Sequence, residues 1–528
     1  MGSNDSWHHG YFADSGYTFG YYREMAPSYL AWAALLQGVA VPTRNFRYVD
    51  LGCGQGFGLI LLAACHPDSQ FIGIDFMPAH VAHARQLAQQ GGVHNVTFIE
   101  GDFGSLAASP AALQDATGMV LDGTVDYVVA HGIASWVAPE VRTGLWRLAG
   151  RLLRPGGLHY TSYNVMAGWA GLQPFQRLVL LRHHRGLAGP AAVEQTLATY
   201  ARLEKAKART FAVYPAMASR LETARKQDMA YLTQEYSNEC WQPQHAADMM
   251  AQAATVKLEW LGTATLPEVF EALMPAEIQA LIAEERDPVL RESLRDIALC
   301  QAFRRDLYVK GRGPLWAAER TRRVEQVRLV ASPFNRLPSP ESQGNKDRIG
   351  VDIGIGRVQM DRGRSTEVLH HVGTAGLTVG ELHRALAKGA LPDTVQLISM
   401  MLFSGWLALH DDTATGAASL NRAIIRAVCA GAPYRHLAVP SHDEAALLDV
   451  VKALIALACI ECFDAGTKAP TFSDVHQRLR LLRQGHEIQL RRSDVTLTEG
   501  PEYEKEWQRR IEYFLREDWP HYRRLNMV

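Results

Sequence analysis

Net charge is nearly absent from this sequence. Lys and Arg number 54 and Asp and Glu 55, a balance of −1 over 528 residues. Such a balance gives no bulk attraction to nucleic acid or to an anionic membrane surface. Cysteine is scarce and odd in number, seven in all, as in a reducing compartment rather than a disulfide-stapled secreted fold. Cys459-Ile-Glu-Cys462 is a lone CxxC inside an apolar helical stretch. With no second CxxC and no His pair at ligand spacing, no metal site is expected. No apolar run reaches the length of a membrane span. The segment Met1 to His9 has no apolar signal region, so the cytoplasm is the expected compartment. Two nucleotide signatures are missing as well. There is no G-x-x-x-x-G-K-[ST] loop for ATP phosphates, and the dinucleotide fingerprint fails because Phe57 occupies the sixth position counted from Gly52. No internal repeat at a solenoid period is present.

What is present is ordinary in bulk and specific in one place. Hydrophobic residues make up 47% and charged residues 21%, the composition of a globular protein whose length calls for more than one domain. The specific place is Tyr48-Val-Asp-Leu-Gly-Cys-Gly-Gln-Gly-Phe-Gly58. An apolar strand ends in an acid and turns on glycines that let backbone approach a ligand closely. Leu59-Ile-Leu-Leu-Ala-Ala-Cys65 then reads as a helix. Four more strand signals follow in order: Phe71-Ile-Gly-Ile-Asp75, Val96-Thr-Phe-Ile-Glu-Gly-Asp102, Val125-Asp-Tyr-Val-Val-Ala-His131, and Leu158-His-Tyr160 after the turn Arg154-Pro-Gly-Gly157. The acid-x-G-x-G-x-G pattern and these five strand ends resemble class I S-adenosylmethionine-dependent methyltransferases. The resemblance implies an α/β Rossmann-like methyltransferase core built on a seven-stranded mixed sheet.

Three domains are expected. Residues 1–165 carry the strand–helix alternation. Residues 166–325 show helical patterns and no further strand signal, giving a mostly helical middle domain. Residues 326–528 follow a Pro- and Ser-rich stretch, Ser332 to Asn345. There Thr378 and Glu381 form a capping box, and helix, turn, helix and a strand at Gly405–His410, exposed in this reading, follow the order of a winged-helix module. This gives an α+β, winged-helix-like C-terminal domain. Its second helix, Pro392 to Phe403, has no Lys or Arg, so base reading is not expected. A protein-interaction or structural role fits better.

Four segments are similar to a narrower group: bacterial methyltransferases with a methyltransferase regulatory domain, including the rickettsial protein-lysine methyltransferases. They are Tyr17-Thr-Phe-Gly-Tyr-Tyr22 with Pro27, His131-Gly-Ile-Ala-Ser-Trp-Val137, Tyr163-Asn-Val-Met-Ala-Gly-Trp169, and Tyr231-Leu-Thr-Gln-Glu-Tyr236 with Trp241. Ala167 stands where the group has proline, and Gln234 where it has histidine.

This resemblance implies S-adenosylmethionine as cofactor and assigns roles. Asp50, Gly52, Cys53 and Gly54 line its methionine and ribose portion. Asp75, followed by Phe76, meets the ribose hydroxyls. Asp102 faces the adenine amino group with Phe103 against the ring. Tyr17, Tyr21 and Tyr22 form a lid. His131, Tyr163 and Asn164 are the candidate catalytic groups, with His131 also beside the cofactor, and Ser135, Trp136 and Trp169 line the acceptor pocket. An amine acceptor must arrive neutral, and a water-poor aromatic pocket favours that form. His131 or Tyr163 is a candidate to take its proton. A purely structural His131, a core Trp136 and Trp169, and a Cys53 that only fills a tight turn are the simpler alternatives. The expected partner is a protein, modified on lysine, or a small-molecule methyl acceptor. A homodimer stays open, and nucleic acid and a membrane span are not expected. A non-catalytic cofactor sensor is the alternative from another class.

Overall fold

The five apolar runs become neighbouring parallel strands in the computed structural model, which describes residues 18–528 apart from 344, 355, 388, 411–415, 484–488 and 493–494. They are β1 (Arg47–Leu51), β2 (Gln70–Asp75), β3 (Val96–Glu100), β4 (Val125–Ala130) and β5 (Leu153–Asn164). With β6 (Leu258–Thr263) and β7 (Phe303–Lys310) they form one seven-stranded sheet in the order β3-β2-β1-β4-β5-β7-β6. β7 runs antiparallel to both its neighbours. The sheet is therefore mixed, with helices on its faces, and the fold is Rossmann-like. Strand order reverses between β1 and β4, and that point is where ligands of such sheets bind.

The expectation of a helical stretch from 166 to 325 needs correction. The first part holds: helices Gln173–His183, Gly189–Lys205, Ala216–Arg225 and Met229–Tyr236 pack on a small core of their own around Phe175, Val179, Leu197 and Leu221. Beyond it, β6 and β7 return to the central sheet, so the helices are an insertion between strands. Within this expected helical domain the stretch from Leu290 to Arg305 is helical only to Ala298 and is strand from Phe303. The reason is a buried ion cluster. Arg304, on β7, reaches Glu292 at 2.7 Å, Asp296 at 2.8 Å and Asp306 at 3.0 Å. The helix Pro288–Ala298 is thereby bolted to the sheet by charges that read, in sequence, as a solvated face.

The C-terminal region is joined to the rest by a continuous hydrophobic core. Trp32, Tyr48 and Phe57 share it with Leu382, Ile398, Leu454 and Trp507, and the Trp32 indole donates to Ser399 Oγ at 3.2 Å. The capping box of Thr378 and Glu381 starts the helix Val379–Leu386. After the helix Leu391–Phe403, the strand Leu407–Leu409 is buried rather than exposed, because it pairs with Arg328–Ala331. No helix among the described residues is long and apolar enough to cross a membrane.

Removing Arg304 would strand Asp296 and Asp306 and leave Glu292 only its 3.5 Å contact with Arg295. Arg304→Met is expected to cost on the order of 3–5 kcal/mol in denaturant unfolding, and an unshifted midpoint would contradict this account of β7.

Candidate active site

The ends of β1, β2, β3 and β4 open on one edge of the sheet, and each delivers a polar group there. After β1 the chain turns on Gly52, whose N–H and that of Cys53 both donate to the Ile74 carbonyl, at 2.7 and 3.1 Å. Gly52 has φ +83°, and a Cβ there would lie 2.3 Å from Ile133 Cδ1, so only glycine fits. Asp75, at the end of β2, accepts from Gly54 N and Met77 N, each at 2.9 Å, and meets His80 Nδ1 at 3.2 Å. It ties the glycine loop to the turn after β2. Asp102 caps the helix Phe103–Ala108 by accepting from Ser105 N at 2.8 Å.

These groups enclose a cleft in two compartments. The larger, about 280 Å³, is walled by Asp75, Phe76, Asp102, Phe103, His131 and Trp136. The smaller, about 60 Å³, lies between the glycine loop and the N-terminal strap, walled by Tyr21, Tyr22, Asp50 and Cys53. Gly52, Gly54 and His131 border both, so the compartments meet at His131. Asp50 is buried, with Oδ1 lacking any hydrogen-bond partner. Burial, with Asp75 nearby, pushes its carboxyl up to about 8. A cation arriving in the smaller compartment would relieve that cost.

His131 sits in a cage of rings. Tyr22 stacks on it at 4.0 Å, and its Nδ1 meets Tyr160 Oη at 2.8 Å and Ser162 Oγ at 3.2 Å. Desolvation, with Arg305 adding to it, pushes its pKa down to about 3. The imidazole is neutral and a poor proton acceptor.

The structure brings Tyr21, Tyr22, Asp50, Gly52, Cys53, Gly54, Asp75, Phe76, Asp102, Phe103, His131 and Trp136 to the cleft. Tyr17 lies outside the described residues. Four expected residues are elsewhere, because side chains alternate along β5. Tyr163 points to the opposite face from Tyr160 and Ser162, fully buried, and its hydroxyl donates to Asp306 at 2.6 Å. It is removed from the catalytic set. Asn164 returns to the Ser162 face, where Nδ2 donates to Glu235 Oε1 at 3.1 Å. Ser135 is buried and its Oγ accepts from Asn164 N at 2.8 Å. It holds the β5 end rather than lining a pocket. Trp169 donates to the Ala302 carbonyl at 2.8 Å and packs on Trp241 at 5.4 Å, behind the cleft.

Other contacts at the cleft are long-range and left no sequence signal. The strap is pinned by the C-terminal region: Arg23 pairs with Glu444 at 3.3 Å, Tyr21 Oη donates to the Asp443 carbonyl at 3.3 Å, and Phe19 packs on Tyr434 at 5.3 Å. Tyr434 also stacks on Phe57, which opens the helix after the glycine loop, at 4.9 Å. The strap crosses that helix so closely that a Cβ on Gly58 would lie 2.8 Å from the Gly20 carbonyl oxygen. His80 and Ile133 are further wall residues. Glu235 was visible as part of Tyr231–Tyr236, but nothing local marks it as buried.

Known proteins resemble this chain in sequence and in fold. A family described as "Methyltransferase domain" matches residues 42–254, and one described as "Predicted methyltransferase regulatory domain" matches 228–310. An uncharacterised protein of Synechocystis sp., sll1526, is 30% identical over 385 residues, covering 72% of each chain. Trans-aconitate 2-methyltransferase of Methylobacterium nodulans is 32% identical over 138 residues, 24% of this chain and 46% of that protein. PKMT2 from Rickettsia typhi, solved in complex with AdoHcy, superposes with a TM-score of 0.69 at 17% identity, over 97% of this chain and 99% of that one, a likeness of fold. With the five-strand core, the glycine loop and the two-compartment cleft, these matches show that the chain belongs to the S-adenosylmethionine-dependent methyltransferases and that S-adenosylmethionine is its cofactor.

Proposed function

We propose that this methyltransferase N-methylates lysine side chains of a protein. The observation that carries the reading is a buried carboxylate with no ion-pair partner among the described residues, Glu235, set among rings and held by Asn164 on the β5 face that also carries Ser162, the neighbour of His131. An aromatic site with a carboxylate suits a cationic amine. It opposes an anionic acceptor such as trans-aconitate, which would meet like charge. The extent of the fold likeness to PKMT2 fits the same reading.

Residue roles follow from place. Asp75 takes the ribose hydroxyls, with lone pairs left after its two backbone bonds. Asp102 faces the adenine amino group, and Phe103 and Phe76 flank the ring. Asp50 takes the α-ammonium in the smaller compartment, and Gly52, Cys53 and Gly54 present backbone to the amino-acid portion. Tyr21 and Tyr22 close over it, and Trp136 walls the larger compartment. Bound S-adenosylmethionine supplies a methyl group already activated by its sulfonium. The chain therefore has to orient the two partners and exclude water. His131, neutral and hydrogen-bonded from β5, is a positioning residue at the junction. The chain's parts divide accordingly: residues up to about 310 hold cofactor and acceptor, and the C-terminal region holds the strap.

Two outcomes test these roles. Asp50 is protonated in the free protein below about 8 and should ionise against the incoming ammonium. Calorimetry with S-adenosylhomocysteine should show proton release, with affinity rising as pH approaches 8. Asp50→Asn should abolish the Asp50 part of that release and weaken binding about tenfold or more; unchanged proton linkage would refute the assignment. Glu444→Gln breaks the ion pair that pins the strap. S-adenosylhomocysteine should then dissociate about tenfold faster in stopped-flow measurements, and an unchanged rate would show that the C-terminal region does not hold the lid.

A further inference from the structure

We propose that Glu235 receives the methyl acceptor: its carboxylate binds the acceptor's ammonium and takes one proton from it, freeing the lone pair that attacks the methyl group. This rests on the amine reading above and assigns the acceptor site within it.

The position comes first. Glu235 lies on the helix Met229–Tyr236, inserted after β5, and Asn164 Nδ2 holds its Oε1 at 3.1 Å. Asn164 is in turn held through its backbone N–H by Ser135 Oγ, from the loop that begins with His131. Ser162, two residues before Asn164 on the same strand face, touches His131 Nδ1 at 3.2 Å. Two strand residues span about 7 Å. The carboxylate is thus held two strand residues beyond the Ser162–His131 contact, by the same strand and loop that fix His131. Tyr231, one helical turn before Glu235, lies beside its carboxylate and within electrostatic range of Tyr22, the ring stacked on His131. Tyr231 is 37% exposed, so its ring links solvent to the helix turn that carries Glu235.

The chemistry agrees. Glu235 is 6% exposed and has no ion-pair partner among the described residues. The titratable groups facing it are Tyr231 and Tyr236 of its own helix; Asn164 from β5 and Trp241 from the following segment are neutral. Burial pushes its carboxyl up to about 7, against the hydrogen bond from Asn164 Nδ2 that lowers it. An unpaired buried carboxylate costs stability, and an arriving ammonium offsets that cost. A group poised near neutrality is suited to accept the proton. His131 is protonated only near pH 3 and Tyr163 is turned away, which leaves Glu235 to do it. The sequence of events balances. R–NH3+ gives a proton to Glu235; the freed nitrogen lone pair forms the N–CH3 bond as the S–CH3 bond breaks, its electron pair staying on sulfur. Glu235 then returns its proton to water.

The test compares full-length wild type, Glu235→Gln and Tyr231→Phe on poly-L-lysine with labelled S-adenosylmethionine, and measures melting across pH. Wild-type kcat/KM should rise with pH to a plateau above about 7, and Glu235→Gln should lose that limb and fall about 100-fold. S-adenosylhomocysteine affinity should stay within about twofold, since the cofactor compartments are intact. Tyr231→Phe should keep the pH limb while raising KM. The stability readout is independent of activity. Native Glu235 holds its proton up to about 7, above its unfolded value, so wild-type stability falls as pH rises through that window. Glu235→Gln should therefore melt no lower than wild type at pH 8. A lower melting temperature, or failure to fold, overturns the proposal by showing a structural role. Wild-type transfer to lysine with the pH limb kept in Glu235→Gln overturns Glu235 alone. Wild-type transfer to hydroxyl or carboxyl acceptors but not to poly-L-lysine overturns the amine reading itself.

Discussion

The contact on which the site depends is the one Asp75 makes. Its carboxylate accepts from Gly54 N and Met77 N, so the loop after β1 and the turn after β2 are a single unit. The parallel sheet sets the two strand ends side by side, and one acid converts that adjacency into a fixed floor. The remaining walls are positioned against it. Phe103 and Asp102 come from β3, His131 comes from β4, and Ile133 closes onto Gly52 where no side chain could stand.

Two buried carboxylates, Asp50 and Glu235, have no ion-pair partner among the described residues. Their environments differ in origin. Asp50 is desolvated under the strap with a second acid nearby, while Glu235 is desolvated by an inserted helix and neighbouring rings. Each costs stability in the free chain, and such costs concentrate at functional sites. Arg304 shows the contrast within the same protein. Its guanidinium reaches three carboxylates at once, and Arg295 meets one of them, Glu292, at 3.5 Å, so these acids are ion-paired and serve packing, not binding. The difference between matched and unmatched buried charge separates scaffold from site.

Much of this was legible beforehand because it is local. β1 to β5 are apolar runs ending in acids or a histidine, and a parallel sheet covered on both faces writes that signal into sequence. The glycine loop followed from it, and the family resemblance it carries then singled out Asp75, Asp102 and His131. β6 and β7 were missed because antiparallel strands near a sheet edge alternate: Glu259 interrupts the first and Arg304 and Asp306 the second, and their charges read as helix surface. Tyr163 and Asn164 are neighbours in sequence and differ only in which face of β5 they take, a one-residue phase. Ser135 and Trp169 fell in the right loops but turned inward. The pinning of the strap joins residues more than 400 positions apart, such as Tyr21 and Asp443, which no spacing rule reaches.

The most direct measurement is a crystal structure of the full chain with S-adenosylhomocysteine and a lysine-containing peptide. The account requires the homocysteine portion beneath Tyr21 and Tyr22 with its ammonium on Asp50, the adenine beside Asp102 and Phe103, and sulfur at the His131 junction. It also requires the peptide's amine to approach that sulfur from the Glu235 side. A ligand seated in the cleft in the reverse sense, or Glu235 walled off from the sulfur, would contradict it.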